Sequence, residues 1–171
     1  GSDGVTNNGL INVVGLESGA SWEYSTNGGS TWASGSGSSF TLGAGGYSAG
    51  DVKVRQTDAA GNVSTSTGNA SAITVDVTAP SAATIATVAS DDIVNAAENG
   101  ATVVISGTGE TGSTISLVGT NLTATVASGS WSISIPANTA ASLFGQGAET
   151  LVVTQTDVAG NTSPIATRAI S

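Results

Sequence analysis

One eleven-residue segment occurs twice in this chain of 171 residues. It reads VRQTDAAGNVS at residues 54–64 and VTQTDVAGNTS at residues 153–163, so the two copies are offset by 99 residues. A repeat at a fixed offset indicates two tandem copies of one structural unit. The repeat therefore predicts two domains, residues 1–78 and 79–171. They are joined by a short linker in the VDVTAPS segment, where Pro80 favours extended backbone.

Apolar and polar residues alternate along most of both units, which is the pattern of half-buried β-strands. Glycine-rich turns separate these stretches, and about 100 residues built in this way are typical of an immunoglobulin-like sandwich. The predicted fold class is all-β, with two tandem immunoglobulin-like β-sandwich domains. The predicted strands are residues 11–15, 21–26, 40–42, 52–57 and 73–77 in the first unit, and 84–88, 102–106, 114–118, 122–126, 131–135 and 150–156 in the second.

The two units differ where they begin. The strand-like residues 84–88 precede an SDD segment in the second unit, whereas the first unit begins at the matching SDG segment. We therefore expect the first unit to lack its opening strand. Residues 138–144 form the one stretch that predicts a turn or two of helix.

Composition excludes several classes of function. The chain has no His, Cys or Met, which removes disulfides, imidazole bases, thiolate nucleophiles and most transition-metal sites. Its 12 acidic and 3 basic residues give a formal charge of -9, which disfavours nucleic acid as a partner. No apolar run reaches the roughly 18 residues of a membrane span, so no direct membrane insertion is expected.

Two enzyme classes can be compared with the sequence directly. Residues 25–32, STNGGSTW, match the Asp-box of sialidase-like propellers with Asn in place of Asp, but only Arg55 and Arg168 are available to bind a substrate carboxylate. We interpret this segment as a tight hairpin turn with Trp32 folded back. A glycosidase needs two carboxylates across a cleft, and the acidic residues here fall in loops instead. The chain is therefore predicted not to be an enzyme.

The acidic residues concentrate in predicted loops, and immunoglobulin-like topology brings several of these loops to the same end of a sandwich. Asp157 and Glu110 should share the end of the second unit that faces the linker. Carboxylates that converge cannot all stay ionised without a cation, and calcium accepts six to eight oxygen ligands. The predicted calcium ligands are Asp76, Glu110, Asp157 and Asp3 at the junction, Glu17 and Asp58 in an N-terminal half-site, and Asp91, Asp92 and Glu98 in a C-terminal half-site.

Two alternatives remain open from the residues alone. Asp and Asn in turns commonly bind backbone N–H groups without any metal, and Asn62 and Asn161 are expected to shape their loops in this way. The chain also has aromatic residues suited to stacking against sugar rings, which would make it a carbohydrate-binding β-sandwich module with a glycan ligand. The candidate aromatic residues are Trp22, Tyr24, Trp32 and Tyr47.

The paired TDxAGNxS segments, the VDVTAP junction, the SDDIVNAAE loop and the WEYSTNGGSTW segment together resemble a known family. They are similar to the bacterial immunoglobulin-like extender repeats of large calcium-dependent surface and biofilm adhesins, which are often secreted by type I systems. The resemblance covers nearly the whole chain. It implies a stalk segment at the bacterial cell surface, with calcium at the domain junctions and neighbouring repeats of the same chain as partners, in support of adhesion and biofilm formation.

Overall fold

β-Strands make up nearly all the regular structure of the computed structural model, which describes residues 4–145 and 147–171. The chain divides into two units, Gly1–Val77 and Thr78–Ser171. The boundary lies one residue from the predicted one. Among the described residues, no helix is long and apolar enough to cross a membrane.

Short strands build the described part of the first unit. They are β1 (Val5–Thr6), β2 (Leu10–Asn12), β3 (Ser21–Ser25), β4 (Ala33–Ser34), β5 (Ser39–Thr41), β6 (Gly45–Tyr47), β7 (Lys53–Thr57), β8 (Thr67–Gly68) and β9 (Ile73–Val75). One sheet has the order β4–β3–β7–β8, a second has the order β1–β9–β6, and β2 pairs with β5. The β1–β9 pair is parallel and the others are antiparallel.

The second unit repeats this plan with longer strands. Its elements are α1 (Ala96–Asn99), β10 (Val103–Thr108), β11 (Thr114–Leu117), β12 (Thr123–Thr125), β13 (Ser130–Ile135), α2 (Ala140–Phe144), β14 (Glu149–Thr156) and β15 (Ala166–Ile170). A four-stranded sheet has the order β12–β11–β14–β15, and β10 pairs with β13. All these strand pairs are antiparallel.

Each unit has its own apolar core between its sheets. In β13 the buried residues Trp131, Ile133 and Ile135 alternate with exposed serines, as the period of two predicts. The core of the second unit also contains Ile105 and Val153, both 0% exposed. The fully buried core of the first unit is smaller and consists of Trp22, Phe40, Leu42, Val52 and Val75.

One predicted strand, residues 84–88, is wrong. The backbone N–H groups of Thr84 and Ala86 donate to the carbonyls of Thr108 and Ser106, so the segment lies along the edge of β10. However, the N–H of Thr108 donates to the Thr84 hydroxyl, Oγ1, at 2.9 Å. This side-chain bond takes the place of a backbone ladder bond, so the segment is extended without forming a regular strand.

The helices give one confirmation and one correction. The α2 helix lies inside the predicted stretch 138–144. The α1 helix was not predicted, although Asn95 and Glu98 form a capping box at its start. Strands β1, β4, β6, β8 and β15 were also not predicted. The first four have only two or three residues, which are too few to show an alternating pattern, whereas the five-residue β15 was overlooked.

Residues 25–32 form the expected tight hairpin turn between β3 and β4. The Ser25 hydroxyl accepts from the Gly29 N–H at 2.8 Å, and Oδ1 of Asn27 accepts from the Thr31 N–H at 2.9 Å. The Trp32 ring folds back toward Gly29 and lies beneath the Arg55 guanidinium, 4.1 Å from the ring centroid. The segment is therefore a structural turn.

Candidate cation-binding loops

The loop after β7 is organised by one carboxylate. Oδ1 of Asp58 accepts the backbone N–H groups of Ala60 and Asn62 at 2.9 and 2.8 Å, and Oδ2 accepts the Asn62 side-chain amide at 2.8 Å. Gly61 has a φ of +93°, a conformation that favours glycine. The Asp and Asn side chains therefore close the turn on each other, as expected for Asn62.

The loop after β14 has the same construction in the second unit. Oδ1 of Asp157 accepts from the N–H groups of Gly160 and Asn161, both at 2.8 Å, and Oδ2 accepts from the Asn161 side chain at 2.9 Å. The Ala159 backbone also contributes a hydrogen bond to Asp157, as the Gly61 backbone does to Asp58. Each loop aspartate therefore has most of its lone-pair positions engaged by its own turn.

Hydrogen bonding keeps both loop carboxylates ionised. The Asn62 side chain, helped by backbone N–H groups, lowers the pKa of Asp58 below its ordinary value. Burial raises the pKa of Asp157, but the bonds from Asn161 and the loop backbone outweigh it, so this pKa is also lowered. Both groups are therefore anionic at neutral pH, as a cation ligand must be.

The lowered pKa values predict how acid affects stability. A carboxyl whose folded pKa lies below its unfolded value of about 3.9 stabilises the fold above that value, and the stabilisation is lost as pH falls through the folded pKa. In chelator, we expect the melting temperature to change little between pH 7 and 5 and to fall below about pH 4. Replacing Asp58 and Asp157 with Asn should make this acid-induced fall smaller in calorimetry. An unchanged fall would contradict the role of these carboxylates.

A glutamine positions a glutamate beside each of these loops. Oε1 of Gln56 accepts the Glu17 N–H at 2.9 Å, and Oε1 of Gln155 accepts the Glu110 N–H at 3.0 Å. In the first unit, Glu17 and Asp58 line one depression of about 190 Å³. Each unit therefore holds a Glu-bearing turn against its Asp loop. The glutamine was not predicted as a site residue, although it stands two residues before the Asp in both repeats.

The remaining predicted junction residues lie at the end of the first unit. Asp76 directly follows β9, and its backbone N–H donates to the Thr6 carbonyl at 2.9 Å. It is thus placed one residue before the end of that unit. Asp3 lies outside the described residues.

The acidic residues of the predicted C-terminal half-site have bonding roles inside the second unit. Asp92 forms a two-pronged ion pair with Arg168, with both N–O distances at 2.6 Å, and this contact lowers the Asp92 pKa. Glu98 accepts the Asn95 N–H in the α1 capping box, and Asp91 accepts the Ile93 N–H. Each of the three carboxylates therefore has a partner within the second unit, and their assignment to a calcium half-site stays a prediction. The partner role of Arg168 was not predicted.

No group of three or more Asp, Glu, His or Cys side chains that could hold a metal ion occurs among residues 4–145 and 147–171. Each unit instead brings one Glu-bearing turn and one Asp loop to the same end, which we call its loop pole. The residues are Glu17 and Asp58 in the first unit and Glu110 and Asp157 in the second. A complete calcium shell would need further oxygens from loop carbonyls, water or another unit.

The four aromatic residues considered for sugar stacking do not form one platform. Trp22 is 5% exposed, and its indole N–H donates to the Gly37 carbonyl, while Tyr24 stacks on Phe40 with centroids 4.2 Å apart. Both therefore belong to the core face of β3, and Tyr47 packs against the same core. Trp32 instead contacts Arg55, which forms an ion pair with Glu23. Glu23 lies between Trp22 and Tyr24 in β3 and therefore faces away from the core.

Comparison with solved structures decides the family. A bacterial immunoglobulin-like domain from the M. primoryensis ice-binding adhesin is 32% identical in sequence. The match covers 55% of this chain and 96% of that domain, with a TM-score of 0.40. This chain belongs to the bacterial immunoglobulin-like domains. The predicted all-β, immunoglobulin-like fold class is thereby confirmed.

Two longer structures are also similar to this chain. One belongs to a 1.5-MDa bacterial ice-binding adhesin, with 28% identity over 90% of this chain and 52% of that one, and a TM-score of 0.41. The other, a Ca²⁺-stabilised adhesin with which an Antarctic bacterium binds ice, has 27% identity over 94% and 42%, and a TM-score of 0.44. The chain thus spans about half or less of their lengths. No protein-family model and no curated protein matches the chain.

Proposed function

We propose that this chain is a stalk segment of a bacterial cell-surface adhesin, in which calcium at the interdomain junction rigidifies successive immunoglobulin-like domains. The single observation that supports this most is the duplicated loop pole. In both units the same Asp–Asn turn closes the sheet, and the same glutamine holds a glutamate beside it. A purely structural turn needs the Asp and Asn, but it does not need the neighbouring glutamate.

The donor set suits a hard divalent cation. Asp157 is anionic, and Glu110 and the loop carbonyls add further oxygens in the same unit. Calcium tolerates mixed carboxylate and carbonyl ligands in flexible geometry, whereas magnesium demands a stricter octahedron and retains more water. We therefore assign calcium, with Glu110 and Asp157 as ligands from the second unit and Asp76 and Asp3 from the first.

The proposed mechanism is mechanical rather than catalytic. Carboxylates from two units repel each other across a short linker, and a bound cation turns that repulsion into attraction. A cation that binds only the folded, joined arrangement also stabilises it, by about 2.7 kcal/mol at one hundred times its Kd. Glu17 and Asp58 would bind calcium in the same way where a further repeat joins the other end of the first unit.

Location and partners follow from the same proposal. A stalk of this kind works outside the cell, at the bacterial surface, in support of adhesion and biofilm formation. Its immediate partners are neighbouring immunoglobulin-like repeats of the same chain. Family membership supports this role, because the domain that shares 32% identity comes from an adhesin.

Calcium titration of charge-matched variants tests the ligand assignment. Asp157→Asn and Glu149→Gln each remove one negative charge, but Glu149 lies at the start of β14, at the opposite end of the strand from the loop. We expect Asp157→Asn to weaken calcium binding about tenfold or more in calorimetric titration, because affinity follows the charge and number of the ligands. Glu149→Gln should bind as the wild type does. Equal weakening in the two variants would contradict a site at this loop.

A further inference from the structure

One arginine connects the first and last segments of the second unit. The Arg168 side chain in β15 forms a two-pronged ion pair with Asp92, and its Nη1 donates to the Ile85 carbonyl at 3.0 Å. Its Nη2 also donates to the Thr87 hydroxyl at 2.9 Å. These four bonds from one guanidinium hold residues 85–92 to the last strand of the unit, and we call them the clasp.

Backbone bonds join the same two segments. The Ser171 N–H donates to the Asp92 carbonyl at 2.9 Å, and the Val94 N–H donates to the Ser171 carbonyl at 2.7 Å. A residue that bonds in this way to two residues on either side of its neighbour belongs to a parallel pair, as in β1–β9 of the first unit. The first and last segments of the second unit therefore run side by side in the same direction.

The turn that carries Asp92 has a strained backbone. Ala89, Ser90 and Asp92 have φ values of +50°, +76° and +66°, in the left-handed region that side chains other than glycine seldom adopt. Such conformations persist where the surrounding contacts determine them. Here Oδ1 of Asp92 accepts the Val88 N–H at 3.0 Å as well as the bond from Arg168. The ion pair thus fixes this turn in addition to joining the two segments.

The ion pair is specific to the second unit. The offset of 99 residues places Asn69 at the position of Arg168, and the SDG segment places Gly4 at the position of Asp92. Oδ1 of Asn69 instead accepts two backbone N–H groups just before β7, and Gly4 has no side chain to offer. The repeated fold therefore does not require an ion pair at this place.

We infer that the Asp92–Arg168 network is a mechanical clasp that resists stretching of the second unit. This role rests on the proposed stalk function, because tension along a stalk enters a unit through its first segment and leaves through its last. Parallel segments pulled in opposite directions must slide past each other, so all the bonds between them bear load together. The clasp adds bonds to an ionised acceptor, which are roughly twice as strong as bonds between neutral groups.

Forced unfolding of the full chain tests this inference. The chain has no cysteine, so one cysteine added at each end can attach it to the handles of an optical trap. The unfolding rate of the second unit is measured at constant force in chelator, and this unit is recognised by its larger extension because it has more residues. Arg168→Gln should raise this rate about tenfold or more, because forced unfolding depends on the unfolding barrier.

A second substitution tests the pair from its other side. Asp92→Asn keeps a residue that tolerates the left-handed turn but removes the charge, and it should raise the rate about threefold or more. The double variant should unfold no faster than Arg168→Gln alone, since both changes remove the same contact.

Leu117→Ala is the matched control, because Leu117 is buried in β11, outside the clasp. It should lower the stability of the second unit in denaturant but change the rate under force less than about twofold, since the core is still intact when the clasp breaks. If Arg168 were only structural, both variants would speed forced unfolding in proportion to their loss of stability. That result, or wild-type rates in Arg168→Gln and Asp92→Asn, would overturn the inference. Rates taken in chelator do not bear on calcium at the loop poles, whereas the stalk proposal is tested by its response to calcium.

Discussion

Replacing Trp22 with alanine is expected to destabilise the first unit by about 3–5 kcal/mol, the usual cost of removing a large buried aromatic side chain. Trp22 is 5% exposed, lies 6.0 Å from the Phe40 ring between centroids, and donates a hydrogen bond from its indole N–H. A domain of this size is stable by only about 5–15 kcal/mol, so the loss removes a large share. Denaturant unfolding followed by circular dichroism measures it.

Trp32→Ala is the matched control for this experiment. Trp32 lies at the hairpin after β3 and contacts the Arg55 guanidinium, a contact that contributes about 0.5–1 kcal/mol at an exposed site. The comparison also tests the carbohydrate-binding alternative. A sugar platform built on Trp22 would require that Trp22→Ala fold normally and lose glycan binding. Normal stability of this variant would contradict the core position of Trp22.

Ile105→Ala is expected to cost the second unit about 2–5 kcal/mol, because the side chain is fully buried and its removal leaves a cavity. Ile105 is 0% exposed in the middle of β10, opposite Ile133 in β13. The melting transition of the second unit should shift down by many degrees in differential scanning calorimetry, since about 1 kcal/mol corresponds to 4–8 °C in a domain of 60–100 residues.

Val104→Ala provides the control within the same strand. Val104 is 47% exposed on the opposite face of β10, so its truncation should cost less than about 1 kcal/mol, mostly through lower β-propensity. The contrast between neighbouring residues tests the inward and outward alternation of the strand directly. Similar losses for the two variants would mean that β10 does not face the core as described.

The sequence predicted those parts of the fold that depend on a regular pattern. Alternation over residues 131–135 identified both strand β13 and its core face, and the duplicated TDxAGN segment identified two equivalent loops. The turn chemistry of Asp58 and Asn62 was also anticipated. A short loop between strands leaves backbone N–H groups without partners in the sheet, and an Asp side chain can accept hydrogen bonds from them.

The features that the sequence did not predict depend on long-range partners. Asp92 pairs with Arg168, 76 residues away, and no local pattern reveals which base an acid will meet. Residues 84–88 alternate as a strand does, but the Thr84 hydroxyl replaces a ladder bond. The α1 helix was missed because a single helical turn is too short to show a helical period, although Asn95 and Glu98, three residues apart, were the available signal.

The acidic residues that give the formal charge of -9 lie in two kinds of environment. Part of it is neutralised within the units, as in the Asp92–Arg168 and Glu23–Arg55 pairs. The loop aspartates have no basic partner in their turns and are held ionised by amides. We propose that calcium supplies the missing positive charge where one repeat meets the next.

Small-angle X-ray scattering of the full chain, recorded in calcium and then in excess chelator, tests this proposal most directly. We predict that calcium gives a longer maximum dimension with a narrower distribution of conformations, and that chelator shortens and broadens it, while Asp157→Asn in calcium resembles the chelated wild type. Identical scattering profiles with and without calcium would contradict a calcium-rigidified junction.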